Sequence, residues 1–148
     1  MSKIFSIGVF GIILNPQGEI LLCHRRDYDL WNLPGGSLED GEAPWVGVAR
    51  EVKEETGLVV SSSTLVGVYS KPEQHEIIFS FHCIVVPGVP IQTSESDKTT
   101  FFSFSSFPKN TSPRQVERVQ DFLINPKNIT LKEQRGKSSI ELIKAGRL

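Results

Sequence analysis

Three glutamates, Glu51, Glu54 and Glu55, are spaced so that a helix would gather them on one face. Successive residues of an α-helix rotate by about 100°, so these side chains fall within about 100° of one another. Like charges at this spacing destabilise a bare helix by about a few tenths of a kcal/mol per pair, which favours a compensating cation. Oxygen ligands without histidine or cysteine favour Mg²⁺ or Mn²⁺ over zinc, and Mg²⁺ commonly shares its ligands with substrate phosphates. The pattern therefore predicts a metal site for a phosphate compound, although a run of glutamates alone is also typical of a solvated helix face.

The helix that would position these carboxylates is predicted to span residues 43–56. Pro44 suits a first helical turn, where its missing N–H is not needed, and Gly57 suits a left-handed stop. Beside the acidic face runs an apolar stripe that predicts docking on a core, formed by Trp45, Val48, Ala49 and Val52. Gly47 lies on the acidic face, where it either leaves room for a metal or an approaching loop or is simply a tolerated glycine.

Around this helix the spacing of residues follows a longer pattern. Residues 36–58 contain Gly36, Glu42, the run Arg50-Glu51-Val52, the pair Glu54-Glu55 and Gly57-Leu58. This segment resembles the signature of the Nudix hydrolases, G-x5-E-x7-R-E-U-x-E-E-x-G-U with U an aliphatic residue, and every fixed position is present. The resemblance covers residues 3–124 and implies an α/β fold, an α/β/α sandwich with a mixed β-sheet and a loop-helix-loop metal site.

The resemblance also implies roles for these residues. Glu51, Glu54 and Glu55 would hold Mg²⁺ or Mn²⁺ together with the Gly36 carbonyl. Two further residues would support them: Arg50 would orient the glutamates, and Glu42 would brace the loop or join a metal's outer ligands. The expected reaction is attack by a metal-activated water on a pyrophosphate, with a carboxylate taking the proton. Glu54 is our first choice for this base, and Glu95, on a later loop, is the alternative.

Residues that would meet the substrate are predicted from chemical type and position. Arg25 and Arg26 follow a strand just ahead of the acidic loop, and the arginine fork suits phosphate oxygens. The alternative is an exposed basic strand end. Three aromatic side chains are candidates for stacking on a base or for the core, namely Trp31, Tyr69 and Phe79. Cys23 and Cys83 each lie in an apolar run, which predicts structural thiols and no covalent intermediate.

Composition is consistent with one enzyme domain in the cytoplasm. The chain has 148 residues and a net charge of −1, which argues against a basic surface that coats nucleic acid. It has neither an apolar run of membrane-spanning length nor a signal-peptide pattern, so no membrane partner is expected. Two cysteines without metal-like spacing fit a reducing compartment.

Apolar periodicity predicts the remaining elements. Residues 4–14 and 19–24 are predicted to form a hairpin. Residues 58–69 are predicted as a strand interrupted by Ser61-Ser62-Ser63, residues 75–86 and 99–104 as strands, and residues 112–123 as a closing helix.

The last 24 residues are predicted to form a basic extension, residues 125–148, following a Nudix domain of residues 1–124. The extension carries a balance of +4, so the remainder carries −5. Residues 129–133 and 139–143 are candidates for an added hairpin, and a partly ordered tail is the alternative. A homodimer contact or a basic arm over an anionic substrate would be its functional use.

Three functions remain open at this level. The first is an active pyrophosphohydrolase acting on a small-molecule nucleotide, such as a nucleoside triphosphate, ADP-ribose or another nucleotide sugar. The 5′ end of RNA is a less favoured substrate, because residues 1–124 are acidic while the extension is basic. The second is a catalytically silent nucleotide-binding module, and the third is a partner-binding role of the extension.

Overall fold

Alternation along the first strands divides the core into two halves, each covered by a helix. The structure, a computed structural model, describes residues 4–148. The described elements are β1 (Ser6–Ile12), β2 (Ile20–Arg25), β3 (Trp31–Asn32), β4 (Gly35–Ser37), α1 (Pro44–Thr56), β5 (Val60–Lys71), β6 (Glu76–Val85), β7 (Ser96–Phe102), α2 (Pro113–Ile124), β8 (Thr130–Glu133) and α3 (Ser139–Lys144), with 3₁₀ turns at Pro72–Gln74 and Phe104–Ser106.

The strands form two sheets. The larger is mixed, in the order β4-β1-β6-β5-β8, with β1 parallel to β6 and β5 parallel to β8. The smaller is antiparallel, in the order β3-β2-β7. Side chains on one side, including Val9 and Leu21, pack against α1 through Val48 and Val52. Those on the other side, including Ile12 and Leu22, form the core under α2. The predicted α/β/α sandwich with a mixed sheet is confirmed.

The predicted hairpin between residues 4–14 and 19–24 forms only at its turn, where the Asn15 N–H donates to the Glu19 carbonyl and the Leu21 N–H to the Ile13 carbonyl. A single bridge, Leu14 to Ile20, joins them, and β1 and β2 continue into different sheets. The turn itself forms, because the Asn15 side chain accepts from the backbone N–H of Gln17 and Glu19. Both edges of β1 are occupied by β4 and β6, so no edge remains for β2.

Two further predictions need correction. The serines do not interrupt β5, which runs continuously from Val60 to Lys71 and absorbs its irregularities as register shifts near Ser62 and Gly67. The hairpin in the extension is also wrong. β8 pairs in parallel with β5, and residues 139–144 form a helix because Ser138 and Glu141 make a reciprocal capping box.

The helix boundaries agree closely with the predictions, but one side chain does not. Trp45 is 62% exposed instead of packed on the core, because α1 docks through residues that begin one turn later, at Gly47 and Val48. None of the helices found in residues 4–148 has the length and apolar character needed to cross a bilayer.

Candidate active site

Three carboxylates from two parts of the chain meet beside α1. Oxygens of Glu51, Glu54 and Glu95 all lie within 4.8 Å of one another. The first two come from α1, whereas Glu95 lies on the loop before β7. That loop is tied to the end of α1, because the Ile91 N–H donates to the Thr56 carbonyl at 2.9 Å and the Thr93 hydroxyl donates to the Glu55 carbonyl at 3.3 Å. The fold thus brings the two alternative bases, Glu54 and Glu95, into one cluster.

This cluster fits a divalent cation by its donor chemistry. Each residue offers a carboxylate oxygen, and hard oxygen donors are what Mg²⁺ and Mn²⁺ prefer. Burial raises the pKa of Glu51 above its ordinary value, and burial together with the neighbouring charge of Glu51 raises the pKa of Glu55 to about 8. Negative charge is therefore costly here without a nearby cation.

Arg50 provides protein-borne positive charge at this site. Its Nε and Nη2 donate to the two carboxylate oxygens of Glu42 at 2.7 and 2.9 Å. Its Nη1 donates to Glu51 and to Glu54, both at 3.1 Å. The Arg50 guanidinium holds the pKa of Glu42 down at about 2. Glu42 thus lies against Arg50 and connects the loop to the helix.

Two glycines allow the loop to approach α1. A β-carbon at Gly47 would collide with Leu38 and would lie 2.9 Å from a Glu42 oxygen, so the loop lies directly against this position. A β-carbon at Gly36 would lie 2.7 Å from Glu51 Oε1 and 2.9 Å from its carboxylate carbon. Of the two readings of Gly47, the structure supports room for an approaching loop.

Gly36→Ala is expected to lower kcat/KM by about tenfold, because the added methyl group must push the Glu51 carboxylate aside. A displacement of about 1 Å can lower the rate of an enzyme about 100-fold. The loss expected here is smaller because the side chain of Glu51 can take up part of the shift. Steady-state kinetics would measure this loss. Gly88→Ala is the matched control, since its β-carbon would meet Leu58 at 3.6 Å and the Val86 carbonyl at 3.8 Å, both ordinary contacts. Equal activity of both variants would contradict the close fit.

A cavity of about 510 Å³ adjoins the carboxylates. Its lining comes from β1, β2, the β2–β3 loop, β3, β4, α1, β7 and the segments before β4 and β7: Phe10, Cys23, Arg25, Arg26, Asp27, Asn32, Leu33, Gly35, Gly36, Ser37, Glu55, Glu95 and Ser96. Glu55 and Glu95 therefore face the same space as two arginines. This combination suits a ligand that carries phosphate and a metal.

The two predicted arginines line this cavity in different ways. Arg25 donates from Nε and Nη2 to the carboxylate of Asp27 at 2.7 and 2.6 Å. Arg26 donates to the Thr93 carbonyl, from Nη2 at 2.6 Å. The Cys23 thiol is buried, and desolvation raises its pKa well above the usual range, so the thiol is held protonated.

None of the three aromatic residues predicted to stack on a base is among the described residues that line this cavity. Trp31 packs edge-on against Phe102 in the core under α2. Tyr69 is 1% exposed and donates its hydroxyl to Asp121 at 3.0 Å. Phe79 packs on the core under α1. Phe10 is the aromatic residue on the cavity wall, and the uniformly apolar run of β1 gave no sign of it.

His24 lies near the end of β2, directly before Arg25 and Arg26. Its two ring nitrogens lie 2.8 Å from carboxylate oxygens of Asp97 and Asp29. Burial opposes the charged imidazolium, but the hydrogen bonds to Asp29 and Asp97 outweigh it, and the pKa of His24 is raised. The charged form thus helps to join β2 to β7.

His24→Gln is expected to destabilise the protein most at low pH. Because the folded pKa is raised, the stabilising contribution is complete below the unfolded pKa of about 6.5 and is lost as pH rises through the folded pKa. Urea unfolding of both proteins between about pH 6 and about pH 9 would show the difference in unfolding free energy shrinking with pH. A constant difference would mean that His24 contributes only as a neutral ring.

The three layers, the loop that packs on α1 and the carboxylate cluster define a family of hydrolases. The family model described as NUDIX domain matches residues 5–122, and the chain belongs to this family. It is a Nudix hydrolase, an enzyme class that acts on phosphoanhydride bonds of small nucleotide substrates with divalent metals.

Individual relatives agree with this assignment. The chain is 38% identical to a MutT-like protein of Streptomyces ambofaciens over 112 residues, which is 76% of this chain and 70% of the relative. It is 32% identical over 143 residues to a protein of Bacillus subtilis (strain 168) provisionally named 8-oxo-dGTP diphosphatase, covering 95% of this chain and 96% of the relative. The crystal structure of a NUDIX hydrolase from Nitrosomonas europaea shares the fold, with a TM-score of 0.80, 21% identity and coverage of 92% and 82% of the two chains.

Proposed function

We propose that the chain is a divalent-metal-dependent pyrophosphohydrolase that cleaves a nucleoside triphosphate or another nucleoside diphosphate linked to a second moiety. The observation that carries this proposal is that Glu95 belongs to the carboxylate cluster with Glu51 and Glu54 and also lines the cavity that Arg25 and Arg26 line. Carboxylates that hold a metal and arginines that bind phosphate are the two requirements of phosphoanhydride cleavage.

Mg²⁺ or Mn²⁺ is the proposed cofactor. Glu51 and Glu54 would hold it, with Glu55 and the Gly36 carbonyl as further oxygen donors at the same end of the cavity. When bound, such a metal lowers the pKa of water and neutralises charge that develops on phosphate oxygens.

The chain's own residues would divide the remaining work. Arg26 and Arg25 would bind phosphate oxygens, and Arg25 would exchange Asp27 for the substrate. Arg50 would hold the helix carboxylates in place through its hydrogen bonds to Glu51 and Glu54. Glu95 faces the cavity and is not paired with Arg50, whereas Glu54 accepts from that cation. We therefore place the proton acceptor at Glu95 and keep Glu54 as the alternative.

A nucleoside triphosphate is the favoured substrate. The Bacillus subtilis relative, named for hydrolysis of a modified deoxynucleoside triphosphate, aligns with 95% of this chain. ADP-ribose, other nucleotide sugars and the RNA 5′ end share the same phosphoanhydride and are the competing substrates. We also propose the cytoplasm as the compartment, since Cys23 and Cys83 are buried free thiols, as expected in a reducing environment.

The decisive experiment incubates the full chain with nucleoside triphosphates, ADP-ribose, other nucleotide sugars or triphosphorylated RNA and identifies the products by mass. Each reaction is run with Mg²⁺, with Mn²⁺ and with a chelator. Metal-dependent release of a nucleoside monophosphate and pyrophosphate from a triphosphate supports the proposal. If a folded sample turns over none of these compounds, the alternative holds: the chain would be a catalytically silent nucleotide-binding module with the Nudix fold.

A further inference from the structure

Glu95 lies at the end of an irregular segment, residues 86–95, that connects β6 to β7. Its neighbours in the carboxylate cluster, Glu51 and Glu54, accept hydrogen bonds from Arg50. Within residues 4–148, none of the hydrogen bonds and ion pairs of Arg50 reaches Glu95, which also belongs to no helix or strand. The position of this carboxylate therefore depends on the hydrogen bonds that anchor the segment.

Thr93 anchors this segment through its side chain. The hydroxyl donates to the Glu55 carbonyl of α1 at 3.3 Å, and it accepts from the backbone N–H of Glu95 at 3.2 Å and of Ser96 at 3.3 Å. A hydroxyl has one donor and two acceptor positions, so these three bonds use all of them. One side chain thus ties the backbone of Glu95 to the helix that carries the other two carboxylates of the cluster.

The backbone of Thr93 makes two further connections. Its N–H donates to the Ser96 carbonyl at 3.0 Å, which closes a turn around Glu95. Its carbonyl accepts from Arg26 Nε at 3.1 Å and from Arg26 Nη2 at 2.6 Å. Arg26 lines the cavity and is proposed to bind phosphate, and these two bonds leave its Nη1 for that contact. Thr93 therefore lies between the proposed phosphate site and the proposed proton acceptor.

The other restraints on the segment are less direct. The Ile91 N–H donates to the Thr56 carbonyl at 2.9 Å, and the Ile91 carbonyl accepts from the Thr99 hydroxyl at 3.4 Å, both four residues before Glu95. Each residue in between contributes two soft backbone torsions, so these bonds leave Glu95 free to shift. On the other side, β7 begins with a shift in its register against β2. The Thr93 hydroxyl is the contact that restrains the backbone next to this carboxylate.

We propose that Thr93 is a positioning residue whose hydroxyl holds Glu95 in the cluster with Glu51 and Glu54. Without the hydroxyl, the N–H groups of Glu95 and Ser96 lose their acceptor and the segment loses its bond to α1. A displacement of about 1 Å at a reacting group can lower the rate about 100-fold. The proposal rests on the proposed function, since it needs Glu95 to be the proton acceptor.

Thr93→Val tests this role, because valine keeps the shape of threonine and lacks the hydroxyl. The variant is expected to lower kcat by about tenfold and to leave KM within about twofold, since the loss falls on proton transfer and not on substrate binding. The Mg²⁺ concentration at half-maximal activity should also stay within about twofold, because Glu51 and Glu54 keep their bonds to Arg50. Thr93→Ser keeps the hydroxyl and is expected to retain kcat within about threefold.

Thr99→Val is the matched control for this substitution. It removes another hydroxyl bond to the same segment, at the Ile91 carbonyl and away from Glu95. Its kcat is expected to stay within about twofold of that of the native chain. An unchanged kcat in Thr93→Val, or an equal loss in Thr93→Val and Thr99→Val, would overturn the proposal.

The same substitution in a Glu95→Gln chain shows whether Thr93 acts through Glu95. In that background Thr93→Val should lower kcat by about twofold or less, because the group that Thr93 positions no longer accepts a proton. An equal loss of kcat with and without the Glu95 carboxylate would assign Thr93 to another step or to folding, and would overturn the proposal.

Hydrogen exchange measured by NMR tests the anchoring without turnover, on the full chain with neither substrate nor metal. Relative to their intrinsic rates, the Glu95 amide is expected to exchange at least about tenfold more slowly than the Ser94 amide, which donates to no residue among 4–148. Thr93→Val is expected to remove this difference. If the variant does not fold, the comparison of the two amides in the unmodified chain still decides, and equal exchange would overturn the proposal.

Exchange and turnover separate the two proposals. Protection of the Glu95 amide that is lost in Thr93→Val, in a chain that hydrolyses no nucleotide, would remove the proposed reaction and keep Thr93 as the anchor of Glu95. Metal-dependent hydrolysis with a kcat that Thr93→Val leaves unchanged would keep the reaction and overturn the role of Thr93.

Discussion

Glu95→Gln is expected to lower kcat by about 100- to 10,000-fold, the usual contribution of a positioned proton acceptor. An amide keeps the size of the carboxylate but cannot take the proton. Glu95 lies on the cavity wall, within 4.8 Å of the oxygens of Glu51 and Glu54. If Glu95 is the proton acceptor and not a metal ligand, the Mg²⁺ concentration at half-maximal activity should stay nearly unchanged in this variant, whereas a role as ligand would raise it.

Glu54→Gln provides the comparison, because the two carboxylates are neighbours with different proposed tasks. If Glu54 holds the metal, its variant should require more Mg²⁺ and regain part of its activity at high Mg²⁺. Activity measured against Mg²⁺ concentration for both variants distinguishes a lost base from a lost ligand. The reverse result, with Glu54→Gln insensitive to Mg²⁺ and Glu95→Gln rescued by it, would move the base to Glu54. Glu73→Gln, at an exposed 3₁₀ turn, is the control.

Arg50→Met is expected to lower kcat/KM by about 100-fold, at the upper end of the range for residues that hold metal ligands in place. The substitution keeps much of the apolar side chain but removes the cation that contacts Glu42, Glu51 and Glu54. Three carboxylates would then face one another without their shared partner. Binding of metal alone should weaken in parallel, which calorimetry with Mn²⁺ would detect.

Arg50→Lys separates charge from geometry. A lysine restores the positive charge but not the planar fork that bonds Glu42 at two oxygens. Its activity is expected to fall by about tenfold, between those of the native chain and Arg50→Met, and its thermal midpoint should be lowered less. If the lysine and methionine variants are equally impaired, the fork is the essential feature. If lysine restores full activity, charge alone is sufficient.

Sequence spacing placed Glu51 and Glu54 together because both lie on one helix, whereas the third carboxylate of the cluster is Glu95 from a later loop, and Glu55 lines the cavity instead. The rotation of 100° per residue places Glu51, Glu54 and Glu55 near one another whatever the rest of the fold does. The roles expected of Arg50 and Glu42 came from the resemblance alone. The prediction that Trp45 packs on the core was wrong. Helical periodicity indicates which face of a helix is apolar, but it does not indicate how far along that face the neighbouring sheet extends.

The cavity lining and the contacts of the extension depend on long-range packing, which a single sequence does not encode in its local pattern. Phe10 alternates with Val9 in a strand that is apolar on both faces, so nothing in the sequence indicated which ring would line the cavity. Arg118 and Gln134 are separated by 16 residues and meet only because β8 joins the edge of the sheet. The prediction of a hairpin in the extension missed this contact, because a parallel partner for β8 lies about sixty residues earlier in the chain.

The placement of β8 also changes the exposed edge of the larger sheet. Strand β5 is 12 residues long, and without β8 part of its outer edge would present unpaired backbone N–H and C=O groups. Strand β8 pairs with four residues of β5, from Gly67 to Ser70. It is only four residues long and carries Lys132 and Glu133, features that disfavour the addition of a strand from another chain. At this position the extension thus replaces part of a long strand edge with a short, charged one.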